Sequence, residues 1–316
     1  MSAGDNKERI YWIDWVKVFA IILVVWGHVS PFWGNQIYLF HMPLFFMVSG
    51  YLYHARPRKP ELFSILYTII FPYLIYNFIY LLPLPLGGTH NVEDVINIFV
   101  GNQEQLSYLF IPLWFLVALS VIRLLCVSHI DVKITGSICI ILSIIFNVAL
   151  SEAENDYYQG GTSLLCFPFF AIGHELRKLT LPSWSTTIKV SVSIFCVVLF
   201  VLISTIAGGE SYNVFHCRTG SSILLFYFVT SSMCVIFLIL VFCIFNFQCK
   251  IIETLSNGTL LILATHLIIY WKIPQFTSPE LLFQVVSLLI ILFVSYWLIY
   301  YSERFCPVLI GKMKKK

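Results

Sequence analysis

The sequence predicts an all-α integral membrane protein: a bundle of about ten transmembrane helices with both termini cytoplasmic. Three observations predict it: sparse charge, apolar runs of spanning length, and basic residues gathered at alternate ends of those runs. Of the 316 residues, 59% are hydrophobic and only 11% charged, with a mean hydropathy of +0.87. A soluble domain is about 45–50% apolar and about 25% charged. So little charge cannot cover a water-exposed surface, which excludes soluble enzymes and nucleic-acid-binding modules.

A helix needs about 20 apolar residues to cross the hydrocarbon layer. Ten such runs follow in order, the sixth and ninth short or broken by polar residues: 11–33, 37–55, 62–82, 107–127, 133–150, 163–177, 188–207, 221–247, 255–272 and 280–301. Polar or Pro/Gly-rich breaks bound them, as in LPLPLGG after the third and the basic tail after the tenth. The first run is long and lacks a small-residue cleavage site, so it reads as a span rather than a cleaved leader. No internal repeat is detectable, and residues 1–316 are expected to form one transmembrane domain. Cys126, Cys139, Cys166, Cys196, Cys234 and Cys243 fall inside the apolar runs without ligand spacing. They read as small core residues, and no metal site is expected.

With the N-terminus in the cytoplasm, basic residues crowd the cytoplasmic ends, from Lys7 and Arg9 to Lys316. Only Arg218 and Lys272 of the 19 fall on the other side. That is the positive-inside asymmetry, and an odd number of spans would destroy it. The outer loops instead collect acids, among them Glu93, Asp94, Glu152 and Glu280.

The first run carries Asp14, Lys17 and His28, three groups that a lipid-facing helix would exclude. At 100° per residue, positions 17 and 28 point within about 20° of each other, and Asp14 shares the stripe. Ionisable side chains inside a span normally face a bundle interior or a wet cavity and mark a functional pathway. Eleven residues separate Lys17 from His28 by about 16 Å along the axis. The two cannot bond, but one extended ligand can touch both: an anion at Lys17 and a reacting group at His28. Acyl-coenzyme A has that shape. Asp14 is too distant to orient His28 and is expected to hold Lys17.

IDWVKVFAIILVVWGHV followed by FHMPLFFMVSGYLY resembles the opening of acyltransferase family 3, and within it the branch of fucose 4-O-acetylase-like sugar O-acetyltransferases. Lys17 and His28 match that family's basic residue and histidine in its first helix. Met42 to Phe46 with Ser49 and Gly50 match its second helix, and Arg56, Pro57, Arg58 and Lys59 its basic exit. Weaker echoes are PLWFL at 112–116, FPFFAIGHEL at 167–176 and LSNGTLLILATH at 255–266. Many members carry Arg where this chain has Lys17, which is a point charge rather than a planar fork.

The resemblance implies a multi-pass protein of the bacterial inner membrane. Such a protein transfers an acyl group, usually acetyl, from cytoplasmic acetyl-CoA to a hydroxyl of an envelope polysaccharide or lipid-linked sugar. On that reading the catalytic residues are His28, as general base, and Asp14. Lys17, Arg56 and Arg58 would take the phosphates of coenzyme A. His41, Ser49, Trp114, Asn257 and His266 would contact the acyl group or the sugar. O-succinylation of a glucan is an alternative, since nothing in the sequence reads the acyl group's size. A transporter or flippase for a sugar-linked lipid would share the helices and interior charges, although it usually shows internal repeats.

Overall fold

A computed structural model describes residues 9–30, 32–54, 57–81, 92–102, 106, 108–127, 130–149, 160–206, 224–274 and 280–312. Arg56, expected at the donor site, lies outside them. The described residues hold helices and no strand. Helices satisfy every backbone group within the segment, which lipid requires.

In chain order the helices are α1 (Tyr11–Val29), α2 (Gly34–Leu52), α3 (Arg58–Ile65), α4 (Phe71–Leu81) and α5 (Val92–Val100). They continue as α6 (Trp114–Cys126), α7 (Val132–Ala149), α8 (Gly160–Lys178), α9 (Thr186–Ile206) and α10 (Leu224–Phe242). The last are α11 (Lys250–Asn257), α12 (Thr259–Lys272) and α13 (Glu280–Phe305). Among the described residues, helix overlaps each of the ten apolar runs. Six helices of the described residues are long and apolar enough to cross a membrane, or seven if α11 and α12 form one bent span. The chain is therefore an all-α, multi-pass membrane protein.

One element departs from expectation. The run 255–272 is not a single rod: helix begins at Lys250, breaks at Gly258 and turns by 81° into α12. Gly258 stands where a Cβ would fall 2.2 Å from Ile299 Cγ1 on α13. The missing side chain lets the break press against α13.

Prolines accompany two other features. A proline at position i leaves the carbonyl of i−4 without its helical donor. Pro43 thus frees the Leu39 carbonyl of α2, and Ser231 of α10 donates its hydroxyl to that oxygen at 2.7 Å. Pro72 follows a π-helical turn, Leu66–Ile70, that joins α3 to α4. The turn Pro307–Ile310 after α13 docks there. Tyr76 donates to the Leu309 carbonyl at 2.7 Å, and a Cβ on Gly311 would meet the Thr68 oxygen at 2.8 Å.

The core pair is α2 with α8. A Cβ on Gly50 would lie 1.9 Å from the Phe170 carbonyl oxygen, and one on Gly173 would lie 1.8 Å from that of Met47. Small residues let membrane helices approach to backbone contact. This explains the Ser-Gly of the second helix: the glycine is the contact itself. Cys126, Cys139, Cys166, Cys196 and Cys243 are buried in the structure.

Candidate active site

The site is built along the inner face of α1. Asp14, Lys17 and His28 all face neighbouring helices. At the N-terminal end of α1, Arg9 donates to both carboxylate oxygens of Asp14, Nε at 2.6 Å and a terminal nitrogen at 3.0 Å. The Ser256 hydroxyl of α11 donates to Asp14 Oδ1 at 2.5 Å. Lys17 Nζ donates to the Ser256 carbonyl at 2.6 Å. Asp14 therefore does not hold Lys17 by a direct ion pair, contrary to the expectation from sequence. The planar fork of Arg9 matches a carboxylate bidentately, which a lysine cannot do. Lys17 instead holds the main chain just before the break at Gly258, and Ser256 links the two charges.

Asn257 joins the same network. It accepts from Arg9 at 3.2 Å and donates to Glu303 of α13 at 2.8 Å, while Lys312 donates to Glu303 at 2.8 Å. Asn257 is thus committed to helix–helix bonds at the end remote from His28.

Beyond this network Lys17 opens onto a cavity of about 170 Å³ among α1, α2, α6 and α12. Its polar lining is Lys17, Ser49, Thr68 and Thr259; Met42, Phe45, Phe115 and Leu263 are among the apolar residues around them. Two residues expected from sequence, Lys17 and Ser49, are thereby brought together. The lining reaches Ile21 on α1, about 10 Å short of His28 along the helix. Trp114 is buried against Phe46 and Phe115 and does not line the cavity; its neighbour Phe115 does. Arg58 is exposed at the first residue of α3 and is also absent from the lining.

His28 belongs to a second cluster, at the other end of α1. Its ring lies 5.3 Å from that of His266 on α12, centroid to centroid. Tyr38 of α2 is edge-on to both His28, at 6.3 Å, and His41, at 5.2 Å. The Tyr38 hydroxyl donates to the Gly27 carbonyl at 2.9 Å, tying α2 to α1. His41 and His266 are buried, and each places Nδ1 on main-chain oxygen of its own helix, Ile37 for His41 and Ile262 and Leu263 for His266. The helices thus bring His266 beside His28 and, through Tyr38, close to His41. Leu263 connects the two regions: its side chain lines the cavity and its carbonyl faces the His266 ring.

Arg9, Ser256 and Tyr38 were not singled out from sequence. Arg9 looked like topology-setting charge, and a serine or tyrosine in an apolar run carries no spacing signal. The ion pair of Glu61 on α3 with Arg123 on α6 was missed for the same reason. Glu61 is 1% exposed, Arg123 Nε donates to it at 2.7 Å, and the guanidinium lies 5.2 Å from the centre of the Tyr53 ring.

Lys17 borders the cavity, and the three histidines cluster beyond the end of its lining. Comparison with known proteins bears on the family. A family model described as an acyltransferase domain, that of acyltransferase family 3, matches residues 10–301. Over 64 residues the chain is 45% identical to nodulation protein NolL of Sinorhizobium fredii (strain NBRC 101917 / NGR234). The match covers 16% of this chain and only 17% of that protein. No solved structure matches the chain.

Proposed function

We propose that this chain, which belongs to acyltransferase family 3, transfers an acetyl group from acetyl-CoA to a hydroxyl of an envelope polysaccharide or lipid-linked sugar. Acyl transfer follows from the family. Donor, acceptor and acyl group are our reading of the site, and the observation that carries it is the placing of Lys17 and His28 on one inner face of α1. Lys17 opens into the cavity beneath α12 and His28 meets His266 on the same helix.

In this reading the protein is a single domain over residues 1–316 of the bacterial inner membrane, with ten spans and both ends cytoplasmic. Acetyl-CoA enters from the cytoplasm. Its phosphates bind Lys17, aided by Arg56 and Arg58 at the entrance, and its pantetheine arm follows the cavity toward the histidines. The roughly 16 Å between Lys17 and His28 suits that arm. A sugar hydroxyl is a weak nucleophile until a base removes its proton, and a neutral imidazole suits that task near pH 7. His28 takes the hydroxyl proton while the oxygen attacks the thioester carbonyl. The carbon–sulfur bond breaks, and the leaving thiolate takes the proton back from His28. Products are the O-acetyl sugar and the free thiol of coenzyme A. Asp14 serves this step from a distance, fixing Arg9 and Ser256 so that Lys17 stays at the cavity mouth.

Mass spectrometry of envelope glycans from cells carrying the wild type or His28→Ala tests the reading. The variant is expected to insert normally and to lose acetyl mass from one glycan. Identical acylation of all glycans in both strains rejects it.

A further inference from the structure

The ring of His266 has a nitrogen that the mechanism above leaves unused. His266 is fully buried. Its Nδ1 lies 3.0 Å from the carbonyl oxygens of both Ile262 and Leu263. Carbonyl oxygens only accept, so Nδ1 carries the ring proton, and the neutral ring then holds a bare lone pair at Nε2. That nitrogen is buried and has no hydrogen-bond partner. Leaving a buried acceptor unmet is costly, so an orphan of this kind requires a reason.

The neighbouring ring supplies one. His28 and His266 stand 5.3 Å apart between centroids, inclined by 42°. Two imidazoles joined by an N–H···N bond of about 3 Å have centroids roughly 5 Å apart, because each nitrogen sits about 1.1 Å from its ring centre. The bond needs the His28 ring turned so that one of its nitrogens faces Nε2 of His266, and the 5.3 Å between the ring centres matches the spacing of such a pair.

We propose that His266 is the positioning residue for proton transfer at His28, an inference that rests on the acyltransferase reading above. One nitrogen of His28 takes the acceptor's hydroxyl proton. The other keeps its own proton and donates it in a hydrogen bond to Nε2 of His266. The imidazolium that forms is thereby held in one orientation, and its charge faces a lone pair instead of apolar surroundings. No proton leaves the pair. The thiolate of the donor recovers the hydroxyl proton from His28, and the bond to His266 remains. The carbonyls of Ile262 and Leu263 hold His266 in the required tautomer, the part that a second-shell acceptor plays in fixing a catalytic imidazole.

Two amides separate this role from packing. In His266→Asn the short amide still donates to the Ile262 or Leu263 carbonyl but leaves no acceptor at the Nε2 position. In His266→Gln the longer side chain places an amide oxygen there. The assay is transfer of radiolabelled acetyl from acetyl-CoA to the glycans of inverted membrane vesicles carrying each variant. His266→Asn is expected to lower kcat about a hundredfold with the KM for acetyl-CoA unchanged, whereas His266→Gln keeps at least a third of the wild-type rate. Full activity in His266→Asn, equal losses in the two variants, or a change confined to KM overturns the proposal. If His28→Ala is inactive while His266→Asn works normally, the acyltransferase reading stands and this inference alone falls. Equal labelling by wild type and His28→Ala removes both. Nitrogen-15 spectra of histidine-labelled protein in nanodiscs give a readout apart from activity: His266 Nε2 must be unprotonated, and a proton found on it overturns the assignment.

Discussion

Lys17 Nζ lies 2.6 Å from the main-chain oxygen of Ser256, two residues before the break that separates α11 from α12. A cation of the first helix thus holds the main chain at the break from which the other wall of the cavity begins. The Ser256 hydroxyl meanwhile bonds to Asp14, so one residue serves both charges through different atoms.

That division makes the two roles separable. Ser256→Ala removes the hydroxyl but keeps the carbonyl that Lys17 holds. It is expected to cost about 1–3 kcal/mol of stability and to weaken binding of labelled acetyl-CoA far less than loss of the Lys17 cation does. Lys17→Met is expected to abolish that binding. Titration of detergent-purified variants checks both, and equal binding in Lys17→Met and wild type rejects the donor site.

The Leu39 carbonyl depends on Ser231 because Pro43 has no N–H to offer it. Ser231→Ala is expected to destabilise by about 1–3 kcal/mol, the cost of a buried polar group left unpaired. In a Pro43→Ala background the helix regains its own donor, and the same substitution is expected to cost less. Thermal unfolding of the four proteins in the cycle measures the difference.

Gly258→Ala brings a Cβ against three carbons of Ile299, at 2.2, 2.4 and 2.8 Å. The glycine has φ −115, so the penalty is steric rather than conformational. A loss of about 1–3 kcal/mol is expected from overpacking. Adding Ile299→Ala removes the clash, so the double variant should lose less than the sum of the singles.

Arg123→Leu strands the buried carboxylate of Glu61. Removing one partner of a buried pair costs about 3–5 kcal/mol, whereas replacing both with apolar residues is often neutral. Melting temperatures should therefore fall sharply in Arg123→Leu and recover when Glu61→Leu is added.

Much of the site was legible before folding was considered. The stripe of Asp14, Lys17 and His28 follows from 100° per residue and nothing else, and the structure turns it toward α2, α11 and α12 rather than outward. The partners of those groups were not legible. Asp14 was expected to hold Lys17 because it is too far along α1 to orient His28. The structure gives it to Arg9 and Ser256 instead, since a bidentate guanidinium and a hydroxyl from another helix fit the carboxylate better. Trp114 carried a family-like motif, yet its neighbour Phe115 reaches the cavity, a choice made by how α6 rotates against α2.

The sequence alone determined the solvent, the helices and the inward face of α1, because apolar length and helical period are local properties that any fold must obey. Only the tertiary structure decided that α11 and α12 break at Gly258, that Ser231 answers Pro43, and that His266 comes to lie beside His28. These depend on which helices touch and at what rotation. That is settled by close packing, with glycines and orphaned carbonyls fixing the contacts, and no periodicity within one segment records it.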